Sequence, residues 1–567
     1  VARLCAEVRL RPLTGRVLVG RGFDELDRVG RFLAPRLGDM RPPEGVADLD
    51  RALARLARAI DGRERIGVFG DYDVDGITTA AVLASGLGAL GAGVLAEAAD
   101  RFSGYGLSPE RAARFADAGC TLLVTGDCGT SDVAAIQFLR QRAVDTIVID
   151  HHQVPSGASP AYALINPHRS DDAFPFKGLA SCGLGFYMIA ALRTRMRAAG
   201  DERAVRFDPR SLLDLVALGT IADVVPLVDE NRILVAAGLR AVGQGARPGI
   251  RALTQVAEIA EGSAIDAQDV SFRLAPRLNA AGRLGSAQVA LDLLLSPDAD
   301  TAARLARDLD DLNRKRQQIQ EDVLGHALAD AEARMGVALP PAALVVAGQG
   351  LHLGVVGIVA AKLVDRFGVP AIVVGLDGQS GRGSARTVPG FNLYRALSAC
   401  GAHLLAYGGH AMAAGLTIST GAVDAFRDAF VAQAQAFRDG LGRPGPFAVD
   451  AVAGLAELDL AGALELVRLA PFGCANAEPL IALRGVTATS TRVVGKGHLA
   501  LTLSQGRAFA DAIGFGMAEQ GPGDGQDLDV IGIPEISVWR GERRARFRVK
   551  RFVMSPAPAI DQDVRAE

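Results

Sequence analysis

The chain has 567 residues, 49% hydrophobic and 22% charged, with a formal net charge of −3. That length demands several hydrophobic cores, and that composition excludes a disordered or collagen-like chain. The near-neutral average also excludes a polycation, so any nucleic-acid contact has to come from a local basic surface.

Residues 1–60 carry helical patterns broken at Arg41-Pro42-Pro43-Glu44-Gly45, and the first ten residues hold charges instead of the apolar run of a secretory signal. From Arg65 the pattern changes to short apolar runs, RIGVF, TLLVT and TIVID, alternating with Ala- and Leu-rich stretches. These predict buried parallel strands of an α/β domain over residues 61–235. The uncharged stretch Gly76–Ala96 is long enough to raise the question of a membrane span, but its Gly, Ala, Ser and Thr content predicts a buried crossover helix.

The chemistry sits where the apolar runs end. RIGVF leads into GDYDVDG at 70–76. On an extended segment alternate positions share a side, which predicts Asp71, Asp73 and Asp75 together at the C-terminal edge of the sheet, where parallel sheets place ligands. TLLVT leads into Gly126-Asp127-Cys128-Gly129, TIVID into Asp150-His151-His152, and a further apolar run ends at Asp223. Clustered carboxylates repel one another unless cations lie between them. An oxygen-rich set with imidazoles and no thiolate predicts Mn²⁺ or Mg²⁺, with enough ligands for two ions, the arrangement suited to phosphoester hydrolysis. Adjacent residues on an extended chain face opposite ways, so His151 is assigned to metal and His152 to the scissile phosphate. The six cysteines form no C-x-x-C pair, which argues against structural zinc and for reduced thiols in a cytoplasmic protein.

Residues 236–338 read as a helical connector, with 301–334 as one long amphipathic helix. The β/α rhythm restarts with ALVVA and AIVVG, giving a second α/β domain over 339–440, followed by a Gly/Pro linker at 440–446. Five alternating strand-like runs then predict a small β-barrel of the oligonucleotide-binding type within 441–555. Its final strand, Trp539 to Arg551, sets seven basic residues against one Glu, with Trp539 and Phe547 interleaved. Basic residues plus aromatic platforms suit a single strand, and Trp539 and Arg546 are assigned to it. Residues 556–567 read as a tail.

In order, the chain carries GDYDVDG, GDCG at 126–129, Asp150-His151-His152, GTIADVVPL at 219–227, PRLNAAGR at 276–283, HLGVVGIVAAKL at 352–363, GRGSAR at 381–386 and GGHAMAAG at 408–415. Over residues 65–555 this series resembles the RecJ family of the DHH phosphoesterase superfamily. The resemblance implies two parallel-sheet lobes, DHH and DHHA1, joined by a long helix around a nucleic-acid cleft. It implies a two-metal exonuclease that degrades single-stranded DNA 5′→3′ to 5′-mononucleotides in recombination and repair. It further implies a monomer that works with a helicase and a single-strand-binding protein.

Carried over position by position, Asp73, Asp75, Asp127, Asp150, His151 and Asp223 match the metal motifs. Where many superfamily members have a histidine this chain has Phe69, and Asp71 is assigned to complete that shell. His152, Asp75 and Asp127 are the catalytic assignments. Arg277, Asn279 and Arg283 in the connector, Ser384, Arg386, Gly409 and His410 in the second lobe, and Arg101 and Tyr105 in a loop of the first are assigned to substrate. The two Gly-rich pieces of the second lobe are expected to offer bare backbone N–H groups to phosphate. Two other classes compete: a DHH enzyme for small nucleotide substrates, against which the barrel argues, and a binding protein with a dead site, against which the intact acidic set argues.

Overall fold

The computed structural model describes residues 1–101, 104–157, 159–335, 341–440, 448–539 and 542–554. The linker at 441–446, the tail at 556–567 and the side chain of Trp539 lie outside the described residues.

In the first lobe β1 (Arg65–Gly70), β2 (Gly93–Ala98), β3 (Leu122–Gly126), β4 (Asp145–Ile149) and β5 (Ala163–Ile165) form a sheet in the order β2-β1-β3-β4-β5. Every pairing in it is parallel. The apolar runs are continuous because both faces are covered: Ile66, Val68, Leu122, Val124, Ile147 and Ile149 pack under the helices Val74–Ala89 and Ser181–Ala198. Each such side chain contributes roughly 1.5–3 kcal/mol on burial. Register places Gly70 beside Gly126 and Gly126 beside Ile149, so the three acidic segments leave the sheet at one level.

The expected crossover helix over Gly76–Ala96 is shorter. It stops at Ala89, the chain reverses at Gly91 (φ +93°), and Gly93–Ala98 becomes β2. Only Gly tolerates that backbone cheaply, and the weak apolar signal of a half-exposed edge strand hid β2 in the sequence.

A 37-residue helix, Ala299–Met335, leads into the second lobe. There β6 (Leu344–Gln349), β7 (Ala371–Asp377), β8 (Ser380–Arg386), β9 (Leu404–Gly409) and β10 (Ala413–Ser419) form a sheet in the order β6-β7-β8-β10-β9. Only β6 and β7 are parallel. GRGSAR is therefore a strand. β8 pairs with β7 on one side and β10 on the other, so its backbone N–H groups are engaged in the sheet and only side chains remain for an anion.

The barrel comprises β11 (Ala451–Ala453), β12 (Ile481–Val494), β13 (His498–Gln505), β14 (Ala508–Gly514), β15 (Asp527–Trp539) and β16 (Glu542–Met554). Its closure runs β12-β13-β14-β16-β15 and back to β12, with β11 appended. The helices Ala2–Val8, Pro12–Gly20 and Leu26–Leu33 pack on it: Leu13, Val17, Leu18, Val29 and Phe32 share one core with Leu466, Ile481, Leu483 and Val530. Arg21 ties this contact to Asp450 at 2.8 Å. Among the described residues no helix is long and apolar enough to cross a membrane.

Candidate metal centre

The carboxylates of GDYDVDG converge, but not by strand alternation. β1 ends at Gly70, Asp73 caps the helix Val74–Ala89 by accepting the Gly76 N–H at 3.1 Å, and Asp75 lies in its first turn. Gly76 is required here: a Cβ would sit 2.5 Å from the backbone N and O of Asp71. The Asp75 carboxylate accepts the N–H groups of Ser181 (2.7 Å) and Cys182 (3.0 Å) at the N-terminus of the helix Ser181–Ala198.

Three overlapping groups result, each with ligand atoms within 4.8 Å: Asp71, Asp73 and Asp127; Asp75, His151 and Asp223; Asp127, His151 and His152. His151 Nε2 lies 3.3 Å from Asp127 Oδ1 and 3.4 Å from Asp223 Oδ2. Asp127 adopts φ +61°, a left-handed backbone unusual outside Gly, which turns its carboxylate into the cluster. Its Oδ1 accepts from the Ser181 hydroxyl at 3.1 Å. Asp223 follows a helix, Leu213–Ala222, whose apolar run is buried all round. Phe69 is a core residue packed edge-on against Phe115.

The two histidines do not face opposite ways. Their ring centroids are 4.9 Å apart, and both rings border the same cluster. After β4 the chain turns, so strand alternation does not apply to them. His152 Nδ1 lies 2.7 Å from Asp150 Oδ1 and 3.0 Å from the Tyr105 hydroxyl, which donates to the Asp127 carbonyl at 2.8 Å. Asp150 stands outside the three groups. Its oxygens accept the N–H groups of Thr130 (3.1 Å) and His152 (3.1 Å) as well as the His152 ring, so it orients that imidazole.

Burial, then mutual repulsion, holds the carboxyls above their ordinary range: Asp71 to about 8, Asp223 to about 9, and Asp127 well above its ordinary value. Burial raises Asp75 as well. Among the described residues Asp71 Oδ1 and Asp223 Oδ2 are buried without a hydrogen-bond partner. Orphaned carboxylate oxygens in a cluster that resists ionisation fit hard divalent cations, which remove both penalties at once. Burial pulls His152 down, but Asp150 outweighs it and leaves the imidazole above its usual value.

Beside this centre lie cations. Arg101 is 4.1 Å over the Tyr72 ring, and its Nε is buried with no hydrogen-bond partner among the described residues. Arg283 donates to the Gly354 carbonyl at 3.0 Å, which joins the connector to the second lobe. Burial and repulsion from Arg101, Arg316 and Arg386 lower the Arg283 guanidinium to about 10. Arg386 donates to Ser384 Oγ at 3.0 Å, facing the start of the helix Val356–Phe367, where a Cβ on Gly357 would lie 2.9 Å from that hydroxyl. Gly409 and His410 are exposed at the end of the edge strand β9.

Two assigned residues are engaged by other protein groups. Arg277 is consumed by Asp310 (2.9 Å) and by the carbonyls of Arg273 (2.6 Å) and Val256 (3.3 Å). Arg546 pairs with Glu535 at 2.6 Å, and Arg548 with Glu478 at 2.7 Å and Glu535 at 3.0 Å, so the basic strand is partly neutralised. The Arg277–Asp310 pair spans 33 residues and the Arg548–Glu478 pair 70. Sequence reasoning missed Ser181, Thr130 and Asn166, whose amide braces the His152 carbonyl at 2.9 Å. For Ser181 a signal existed: Gly178 to Gly185 is a small-residue entry to a helix.

Family profiles match along the chain: the DHH family N-terminal domain at residues 65–220, the DHHA1 domain at 341–436 and the RecJ OB domain at 449–551. The chain is 38% identical to the single-stranded-DNA-specific exonuclease RecJ of Dickeya dadantii over 96% of its own length and 94% of that protein. Crystal structures of Thermus thermophilus RecJ are similar too. The Mn²⁺ complex matches with TM-score 0.80 and 30% identity over 98% of this chain and 78% of that one. The Mg²⁺ complex matches with TM-score 0.75 and 29% identity over 98% and 76%.

Proposed function

The chain belongs to the RecJ family of single-stranded-DNA-specific exonucleases, and on that premise we propose that it degrades single-stranded DNA from the 5′ end to 5′-mononucleotides. The observation that carries this reading is the juxtaposition of the acidic centre with Arg101, Arg283 and Arg386, an anionic and a cationic site side by side across the lobe boundary.

Asp71, Asp73, Asp75, Asp127, His151 and Asp223 would hold two Mn²⁺ or Mg²⁺ ions. Bound there, such ions acidify water and neutralise charge that builds up on the phosphoryl oxygens. Arg101, Arg283, Arg386 and Ser384 grip the terminal 5′-phosphate, so the chain is read from that end. His152 keeps Nδ1 on Asp150 and Tyr105, which leaves Nε2 to donate to the scissile phosphate. His151 belongs to the metal shell.

The domain limits that go with this reading are 1–60, 61–235, 236–338, 339–440 and 441–555. The cellular role is recombination and repair in the cytoplasm, as a monomer beside a helicase and a single-strand-binding protein.

Digestion of one long strand labelled at either end tests the reading, with Mn²⁺ and an Asp75→Ala control. Immediate release of labelled mononucleotide from the 5′-labelled strand, a shortening ladder from the 3′-labelled one and an inactive variant are expected. Intact long strands with turnover of short oligonucleotides would replace it with the small-substrate reading.

A further inference from the structure

The helix Val133–Gln141 begins at Asp132, a residue type that ordinarily caps a helix by accepting one of its first N–H groups. Asp132 does not cap it. Its Oδ2 instead accepts the N–H of Leu107 at 2.7 Å, from a loop 25 residues earlier in the chain. Neither the three ligand groups nor the phosphate grip uses this carboxylate.

The loop it holds presents one side chain. Tyr105 stands between Gly104 (φ +103°) and Gly106 (φ +82°), two left-handed positions that turn the chain sharply. Gly106 is packed on the Asp132 carboxylate: a Cβ there would lie 2.6 Å from Oδ1 and 2.7 Å from Oδ2. The Gly106 N–H faces the Asp71 carboxyl and favours its charged form. The turn is thus clamped between the metal centre and the start of a helix.

The clamp matters because burial does not fix Tyr105, which is 49% exposed. Its ring meets Tyr72 and His152 edge to face, with centroids 6.5 and 5.4 Å away. Its hydroxyl nevertheless makes two directed contacts, to the Asp127 carbonyl at 2.8 Å and to His152 Nδ1 at 3.0 Å. Such contacts from a half-exposed ring depend on where the backbone places it. A backbone shift of roughly 1 Å would take both beyond hydrogen-bonding length.

We propose that Asp132 is a positioning residue of the nuclease, holding the Gly104–Leu107 turn so that the Tyr105 hydroxyl locks the His152 ring. The proposal rests on the nuclease reading and deepens it. Asp150 and Tyr105 both meet His152 Nδ1, and Asp132 acts on the ring through Tyr105.

A fluorotyrosine placed at position 105 reports the turn in the metal-free protein, without turnover. Its fluorine resonance should stand apart from that of free fluorotyrosine in the unaltered chain. Asp132→Asn, whose amide oxygen still accepts the Leu107 N–H, should keep that resonance, and Asp132→Ala should move it toward the free value. Steady-state digestion of a single strand reads the consequence. Asp132→Ala lowers kcat about tenfold with KM nearly unchanged, the scale of losing an orienting group outside the metal shell. Asp132→Asn recovers most of that kcat. In a Tyr105→Phe background Asp132→Ala adds no further loss, since the two residues act as one unit. Gly106→Ala opens the clamp from the loop side and gives the same loss and the same cycle, which keeps the test decisive if Asp132→Ala folds poorly. Digestion by the unaltered protein tests the nuclease reading by itself, and the fluorine signal tests the clamp by itself. An unmoved resonance in Asp132→Ala would overturn the proposal, as would an Asp132→Ala penalty that persists in full beside Tyr105→Phe.

Discussion

The Asp150 carboxylate holds the neighbouring His152 ring through a 2.7 Å contact to Nδ1 and receives that residue's backbone N–H at 3.1 Å. One side chain thereby sets both the position and the tautomer of the imidazole. Asp150→Asn keeps the shape and removes the charge. Its kcat should fall by about 10- to 100-fold, the usual effect of losing an orienting carboxylate, while Mn²⁺ affinity changes little. Steady-state kinetics beside calorimetric Mn²⁺ titration separate the two. A large loss of Mn²⁺ affinity would make Asp150 a ligand.

Asp223 is crowded by Asp75 and Asp73, and its buried Oδ2 accepts no hydrogen bond among the described residues, with the His151 ring 3.4 Å away. Asp223→Asn should therefore raise the metal-free thermal midpoint by about 1–3 °C while abolishing the upward shift that Mn²⁺ gives the unaltered protein. Thermal scans with and without Mn²⁺ measure both. A lowered metal-free midpoint would mean that repulsion is not what this carboxylate contributes.

Asp71 at about 8 and Asp223 at about 9 stand above the ordinary value of 3.8 in the metal-free fold. Folding without metal therefore takes up protons, and metal-free stability should fall as pH rises from about 4 to about 9. Cations must displace those protons, so Mn²⁺ affinity should rise over the upper part of that window. Calorimetry in buffers of different ionisation enthalpy reads the proton release directly. No release at pH 7 would contradict the prediction.

Arg232 joins three parts of the molecule with no carboxylate bonded to it among the described residues. It donates to the carbonyls of Phe32 (2.9 Å), Ala470 (2.7 Å) and Pro471 (3.4 Å), and lies 3.8 Å over the Phe32 ring. Burial lowers its guanidinium to about 10. Arg232→Ala leaves buried carbonyls unpaired, a cost of about 2–4 kcal/mol at the seam between the first lobe and the barrel. Limited proteolysis should then release the barrel early, with turnover of short strands retained.

Arg546 is already paired with Glu535, so its charge is poorly placed for DNA. Arg546→Gln should change single-strand affinity less than twofold, about the effect of a largely neutralised cation, and leave the salt dependence unchanged. Arg386→Gln, with no carboxylate bonded to it among the described residues, should weaken binding of a 5′-phosphorylated strand about tenfold or more. Anisotropy titrations over a salt series compare the two.

The local patterns were legible because the physics behind them is local. A parallel strand covered on both faces reads as an unbroken apolar run, and its end is marked by the Gly and Asp that leave the sheet, as at Gly70-Asp71 and Gly126-Asp127. Alternation exposed the barrel strands in the same way. Parallel register alone then brings the three acidic segments to one level.

What the tertiary structure decided were partners distant in sequence. Ser181 meets Asp75 from 106 residues away, and Glu478 meets Arg548 from 70. GRGSAR forms a central strand although its own residues carry no apolar pattern, because β7 and β10 supply both ladders. The first helices close the barrel's core from the opposite end of the chain. Composition and periodicity describe which surfaces must be buried. Only the folded chain selects which surfaces meet, since that choice depends on register and packing between segments that share no local signal.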